Sequence, residues 1–451
     1  MTDEKRYRDY TSGSVSRNVL ALALPMVLEM GLQTTVNVVD MFWVGKLGPE
    51  AVAGVAICGV FVMIIYSAVM GLSVSSSLLV ARRVGEKDLQ GAGDIFLQAF
   101  YLGLGLSLVF GLPGNLLAGR WLEMLGATGG VVEQGVGYLK IIMGWIFTMV
   151  FILVFNAILR GAGEARTAMF VLWFVNILNF LLDPVLIFGL FGLPRMGVRG
   201  SATATVICQF LGILVQLAVI LSGRGRIRVV RERIWPKKAI VGSLVKLGFP
   251  ASFQLFVRTV SFLMIMRVVA FYGTLALAGY GIAVRLFLFI LMPGFGMGNA
   301  VATLVGQNLG AGKPERSEKS AWLATGYNLL VMGSLALAIF ALAEPVVTIF
   351  NADPGVVAFG SRALRIIAPS YLLTAVGIVM MRSLMGAGDT LTPMLINLVT
   401  LWGFLIPSAY LSWWSGWGPD GVFWSVAAAN AFNALLALSW FRKGRWKYIR
   451  V

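Results

Sequence analysis

Residues 159–167 read LRGAGEART, and residues 384–392 read LMGAGDTLT. The two stretches lie 225 positions apart, and the same shift aligns more of the chain. It sets LP at 24–25 on FP at 249–250, LGPEAVAG at 47–54 on YGTLALAG at 272–279, and Gly85 on Gly310. Chance likeness between apolar segments explains shared leucines. It does not bring glycines, prolines and loop motifs into one register. The chain therefore reads as two copies of one unit: an N-lobe over 1–222, a basic linker over 223–240, and a C-lobe over 241–451.

The composition says what each copy is. Of 451 residues, 58% are hydrophobic and 12% charged, about half the charge of an ordinary soluble domain. A mean hydropathy of +0.85 excludes a soluble enzyme, a disordered chain and a coiled coil. Twelve apolar runs are each long enough to cross a bilayer, at 18–41, 52–80, 92–117, 131–159, 167–191, 197–222, 241–271, 275–306, 321–343, 356–384, 392–414 and 421–441. They are too long, and alternate too little, for barrel strands. The expected fold is an all-α polytopic membrane protein of twelve transmembrane helices in two six-helix lobes. Six is even, so both lobes enter the membrane in the same direction, which predicts a pseudo-two-fold axis along the membrane normal.

Of the 36 Lys and Arg residues, 26 fall in segments on one side, seven on the other and three within spans. The positive-inside rule then puts both termini in the cytoplasm, with the chain in the cell's inner membrane. The net charge of +16 reports those loops beside anionic lipid rather than nucleic acid. No cleaved signal peptide is expected, because the first residues are polar and the first apolar run is a full span. There is no histidine, which removes histidine-based acid–base, metal and haem chemistry. Cys58 and Cys208 lie in apolar runs and read as small packing residues. No catalytic motif stands out, since GAGE and GAGD lack the strand, the helix and the lysine of a phosphate loop. No enzyme activity and no cofactor are expected.

Only three acids lie well inside spans: Glu29, Asp40 and Asp183. An intramembrane carboxylate is costly unless paired, hydrated or protonated, and so marks a functional site. On a helical wheel Glu29, Gln33, Asn37 and Asp40 fall within about 80°, one polar stripe on an apolar helix. Pro25, one turn before that stripe, leaves a carbonyl unpaired and predicts a bend. In span five, Asn176, Asn179 and Asp183 fall within about 60°. Carboxylates with amides and hydroxyls are hard oxygen ligands, suited to H⁺, Na⁺ or both in competition. Two carboxylates side by side in low dielectric cannot both ionise readily and so form a titratable switch. The structural alternative is an interhelical hydrogen-bond network that moves no ion. At +225 the C-lobe replaces Glu29 by Gln254, Gln33 by Arg258 and Asp183 by Ser408, so ion coupling is expected on one side only. Gln254, Arg258 and Arg285 mark a candidate C-lobe substrate cavity. The competing reading for both arginines is snorkelling, or pairing with carbonyls.

Five stretches carry a family resemblance: LP at 24–25, NVVDMFWVGKLGPEAVAG at 37–54, ILRGAGEARTAMF at 158–170, NFLLDPVLIFG at 179–189 and MGVRGSATATVICQ at 196–209. Together and in order, over nearly the whole chain, they resemble the multidrug and toxic compound extrusion (MATE) family, its DinF-like branch more than its NorM-like branch. The resemblance implies two six-helix lobes around a central cleft and cation-driven export of small amphipathic molecules by antiport, as a monomer among membrane lipids. It implies that Asp40, Asn179, Asp183, Thr205 and Ser201 bind H⁺ or Na⁺, and that Pro25 is where the first helix bends. The NorM-like branch places acids in spans seven and ten; this chain has none there. A lipid or lipid-linked saccharide flippase of the same superfamily is the alternative function.

Overall fold

The computed structural model describes residues 8–222, 225–230 and 235–449; inside the first helix, the side chains of residues 33–39 fall outside the described set. All regular structure among the described residues is helical. In the first half the helices are α1 (Val15–Gly45), α2 (Pro49–Gly85), α3 (Leu89–Leu116), α4 (Ala118–Met124), α5 (Gly130–Gly144), α6 (Ile146–Gly161), α7 (Ala165–Phe188) and α8 (Val198–Leu221). The second half has α9 (Lys238–Ala270), α10 (Thr274–Gly310), α11 (Pro314–Ala341), α12 (Ala343–Phe350), α13 (Pro354–Ile367) and α14 (Ser370–Gly386). It ends with α15 (Leu391–Asn397), a π-helical stretch (Leu398–Leu405), α16 (Ile406–Trp414) and α17 (Gly418–Arg442).

Among the described residues ten helical segments, counting Leu391–Trp414 as one, are long and apolar enough to span a membrane, and two bent pairs, each taken as one span, bring the number to twelve. The spans read at 131–159 and 356–384 are those pairs: α5 meets α6 at 51° and α13 meets α14 at 55°. The first break falls at Trp145, whose ψ of 23° leaves the helical region. At the second, Pro369 lacks the N–H that would continue the ladder. The short helices α4 and α12 lie between spans of the sequence reading.

The halves keep the 225-residue register in three dimensions. The ends of α2 and α10 are 225 residues apart, and so are those of α3 and α11. The GAG motif has a structural cause at each glycine. A Cβ on Gly161 would sit 3.0 Å from Ser77 Cα in α2; one on Gly386 would sit 2.7 Å from Ala302 Cα in α10. Only a bare Cα lets the two backbones approach so closely. The second glycines, Gly163 and Gly388, take φ of 86° and 97°, the left-handed turn that ends α6 and α14. A second contact also repeats. A Cβ on Gly54 would lie 3.2 Å from Gly135 N, and one on Gly279 would lie 2.7 Å from Gly360 N.

Two compact units emerge, one of residues 28–252 with the extreme N-terminus, the other of 9–27 and 253–451. The core of the first unit is built around Val80, Val150, Phe155, Ile158 and Leu122. That of the second is built around Ala283, Ile290, Met332, Leu364 and Phe423. The division runs through α1 after Val27 and through α9 after Ser252, each two residues past a proline, Pro25 or Pro250. α1 continues helically through Pro25.

Gly161→Ala and Gly386→Ala should each lower the thermal midpoint of the detergent-solubilised protein, at a cost of about 1–3 kcal/mol for overpacking. Gly105→Ala, where nothing lies within 4 Å of the new methyl, should leave it unchanged or raise it. Equal midpoints for Gly161→Ala and Gly105→Ala would contradict the close-contact role.

Candidate functional site

The first unit brings Asp40 from α1 and Asp183 from α7 together, their carboxyls within hydrogen-bonding reach of each other. Asp183 is fully buried. One turn before it on the same helix, Asn179 donates from Nδ2 to Asp183 Oδ1 at 3.2 Å. Asp40 Oδ1 and Asp183 Oδ2 are buried without a hydrogen-bond partner among the described residues. Tyr138 of α5 and Cys208 of α8 stand in the electrostatic field of both acids. Neither was legible as a site residue, because each reads as one more packing side chain in an apolar run.

The other expected members take different places. Thr205 turns its hydroxyl to the Ser201 carbonyl of its own helix, at 3.0 Å. Ser201 is buried, and Asn176 is half-buried. Among the described residues, no cluster of three or more His, Cys, Asp or Glu is arranged to hold a metal ion. The side chains of Gln33 and Asn37 lie outside the described residues.

Glu29 departs from the single-stripe reading. It is 1% exposed and belongs to a separate network. Its Oε1 accepts from Arg160 Nη1 at 2.6 Å and from Asn156 Nδ2 at 2.9 Å, both on α6. Gln216 of α8 donates to Asn156 Oδ1 at 3.3 Å. The wheel put Glu29 and Asp40 on one face but ignored their separation of about 16 Å along the axis, at 1.5 Å per residue. Arg160, read as a loop charge, closes an ion pair with its own side chain only 16% exposed.

Outside the spans, Glu164 of the GAG motif accepts from the Arg226 backbone N–H at 3.2 Å. Burial pushes its carboxyl above the usual carboxylate range, against the Arg226 backbone donor and guanidinium, which pull it down.

In the second unit a cavity of about 130 Å³ is lined by Gln254, Arg258, Tyr371, Asn397 and Asn433, among others. Two of the three expected C-lobe residues are therefore walls of one cavity. Arg285 is not among them. It is an exposed residue of α10 outside this cavity's lining. Mid-span position alone cannot tell which face of an all-round apolar helix an arginine occupies.

The MatE family model matches residues 25–185 and again 250–411. The chain is 28% identical over 440 residues to a probable multidrug resistance protein NorM of Thermotoga maritima, covering 96% of this chain and 93% of that protein. It is 28% identical to a probable multidrug resistance protein YpnP of Bacillus subtilis, covering 98% of each. A solved structure, described as the outward-facing conformation of a multidrug resistance MATE family transporter, superposes with a TM-score of 0.90 at 24% identity over 98% of both chains.

Glu29→Ala should destabilise the chain by about 3–5 kcal/mol, because it removes the carboxylate from a largely buried ion pair with Arg160. Glu29→Ala combined with Arg160→Met should recover much of that loss. Thermal unfolding of the two variants beside the wild type tests it; a double variant no more stable than the single would disprove the pairing.

Proposed function

The chain belongs to the multidrug and toxic compound extrusion (MATE) family of membrane transporters, and from that premise we propose that it exports amphipathic organic molecules in exchange for protons. The multidrug-resistance names of its relatives support the substrate class. One observation carries the coupling: the carboxyls of Asp40 and Asp183 lie within hydrogen-bonding reach of each other, each with a buried oxygen that no described residue satisfies. In low dielectric such a pair cannot carry two charges without a cation between them. A single shared proton meets that need with no further ligand. Na⁺ is the second reading, because the oxygens are hard ligands; it needs further oxygen ligands beyond the two carboxyls.

Coupling then follows from chain connectivity. α1 belongs to the second unit up to Val27 and to the first from Leu28 onward, and it carries Asp40. Protonation or release at Asp40 and Asp183 changes how firmly the later part of α1 is held, with Pro25 at the junction. The ion thereby biases a helix common to both units, a population shift between two transport states. The basic segments are cytoplasmic in this reading, as are both termini.

In proteoliposomes, an imposed pH gradient should drive export of a fluorescent amphipathic dye. Asp40→Asn and Asp183→Asn should each slow it by about tenfold or more, while keeping size and fold. Asp389→Asn should transport nearly normally, since Asp389 Oδ1 only accepts from Thr392 N at 3.0 Å and Asn can do the same. Wild-type rates in both buried-acid variants would reduce the pair to a structural element. Export driven by a Na⁺ gradient but not by a pH gradient would replace H⁺ with Na⁺.

Topology has its own check. A single cysteine introduced at Arg228 should react with a membrane-impermeant maleimide only after the cells are opened. Labelling of intact cells would reverse the orientation.

A further inference from the structure

We propose that the cavity of the second unit is an anion site, which takes the carboxylate, sulfonate or phosphate group of a ligand. The cavity holds about 130 Å³, well above the roughly 10–15 Å³ that one water needs. Arg258, within a span, is one of its lining residues. Among the described residues its guanidinium has no carboxylate partner, and its neighbour is the Phe295 ring face at 5.5 Å. No Asp or Glu lines the cavity.

A second observation points the same way. Asn397 is 5% exposed. Its Oδ1 accepts from Asn433 Nδ2 at 3.0 Å, which fixes the orientation of the amide. Asn397 Nδ2 is then a buried donor with no partner among the described residues, on a cavity wall. Tyr371, also a wall residue, adds a hydroxyl. The Tyr371 hydroxyl can adapt to either sign of charge; the oriented Asn397 donor and the guanidiniums of Arg258 and Arg382 cannot. A lining with two permanent cations, Arg258 and Arg382, and no acid among the described residues selects an anion, and Arg is suited to bidentate contact with carboxylate-like groups.

The backbone is also unusual here. The π-helical stretch Leu398–Leu405 begins directly after Asn397 and includes Leu401, another wall residue. Such bulges cluster at functional sites. The corresponding residues 173–180 of α7 are regular α-helix.

The inference does not depend on proton coupling, and its test uses no ion gradient. The full chain in an uncharged maltoside detergent is titrated calorimetrically with 2-naphthalenesulfonate and with N-methylquinolinium, a cation of similar size. The sulfonate should bind saturably and at least about tenfold more tightly than the cation. Arg258→Gln should weaken it about tenfold or more, as expected for loss of a charge-assisted hydrogen bond. Arg258→Lys should retain part of the affinity. Asn397→Asp, which puts a carboxylate on the wall, should abolish binding, and it carries the test if Arg258→Gln does not fold. Competition by added phosphatidylglycerol would assign the site to a lipid headgroup. No competition would assign it to a soluble anion. Equal sulfonate affinity in wild type and variants, or tighter binding of the cation, would overturn the proposal.

Discussion

Backbone contact at glycine is the constraint on which the rest of this fold depends. In lipid the hydrophobic effect does not pull one helix onto another, so association rests on close packing. Gly161 lets α6 lie against Ser77 of α2, and Gly54 lets α2 lie against Gly135 of α5. These contacts seat a bent span on a continuous helix, and they recur at Gly386 and Gly279. Arg160 adjoins Gly161, so the contact that seats α6 also delivers the guanidinium to Glu29. The motif that revealed the repeat is conspicuous because both of its glycines answer to backbone geometry, one by proximity and one by a positive φ.

On this shared frame the two units have diverged in charge. The first holds the buried acids Glu29 and Asp183, with Asp40 in contact with the latter. At the places corresponding to Glu29, Asp40 and Asp183 the second holds Gln254, Ile265 and Ser408, the last with its hydroxyl turned back to the Leu405 carbonyl at 3.0 Å, and it has Arg258 at the place of Gln33. Packing positions survive a 225-residue shift because a methyl in the wrong place breaks the fold. Cavity positions face no such test. The fold therefore preserves the glycines while the polar interior changes sign.

That difference also explains what the sequence could tell. Spans and register were legible because lipid demands long apolar runs and glycine contacts leave fixed marks. The acid pair was legible because a carboxylate in an apolar helix has few neutral explanations. The bends were not: the apolar content runs unbroken through Trp145, and only the dihedral angles show that the helix stops. Nor was the Glu29 network. A wheel projects a helix onto a circle and discards the axial distance that separates Glu29 from Asp40, and a terminal arginine such as Arg160 looks like any loop charge. Arg258 and Arg285 are indistinguishable in sequence, since neither sits on a helix with a polar face.

The charge asymmetry bears on how a transport cycle closes. An ion held in a low-dielectric interior is stabilised only when an opposite charge accompanies it. On the proposed function, an ionised pair of carboxyls and a guanidinium cavity without its anion would be the poorly balanced states. In the proposed scheme a cation in the first unit or an anion in the second would supply the missing opposite charge. Were both units acidic, a cationic ligand and the coupling cation would be alternatives for the same kind of site. With opposite signs, each unit can be neutralised by its own occupant, and α1, common to both, is the covalent element through which one occupancy can bias the other.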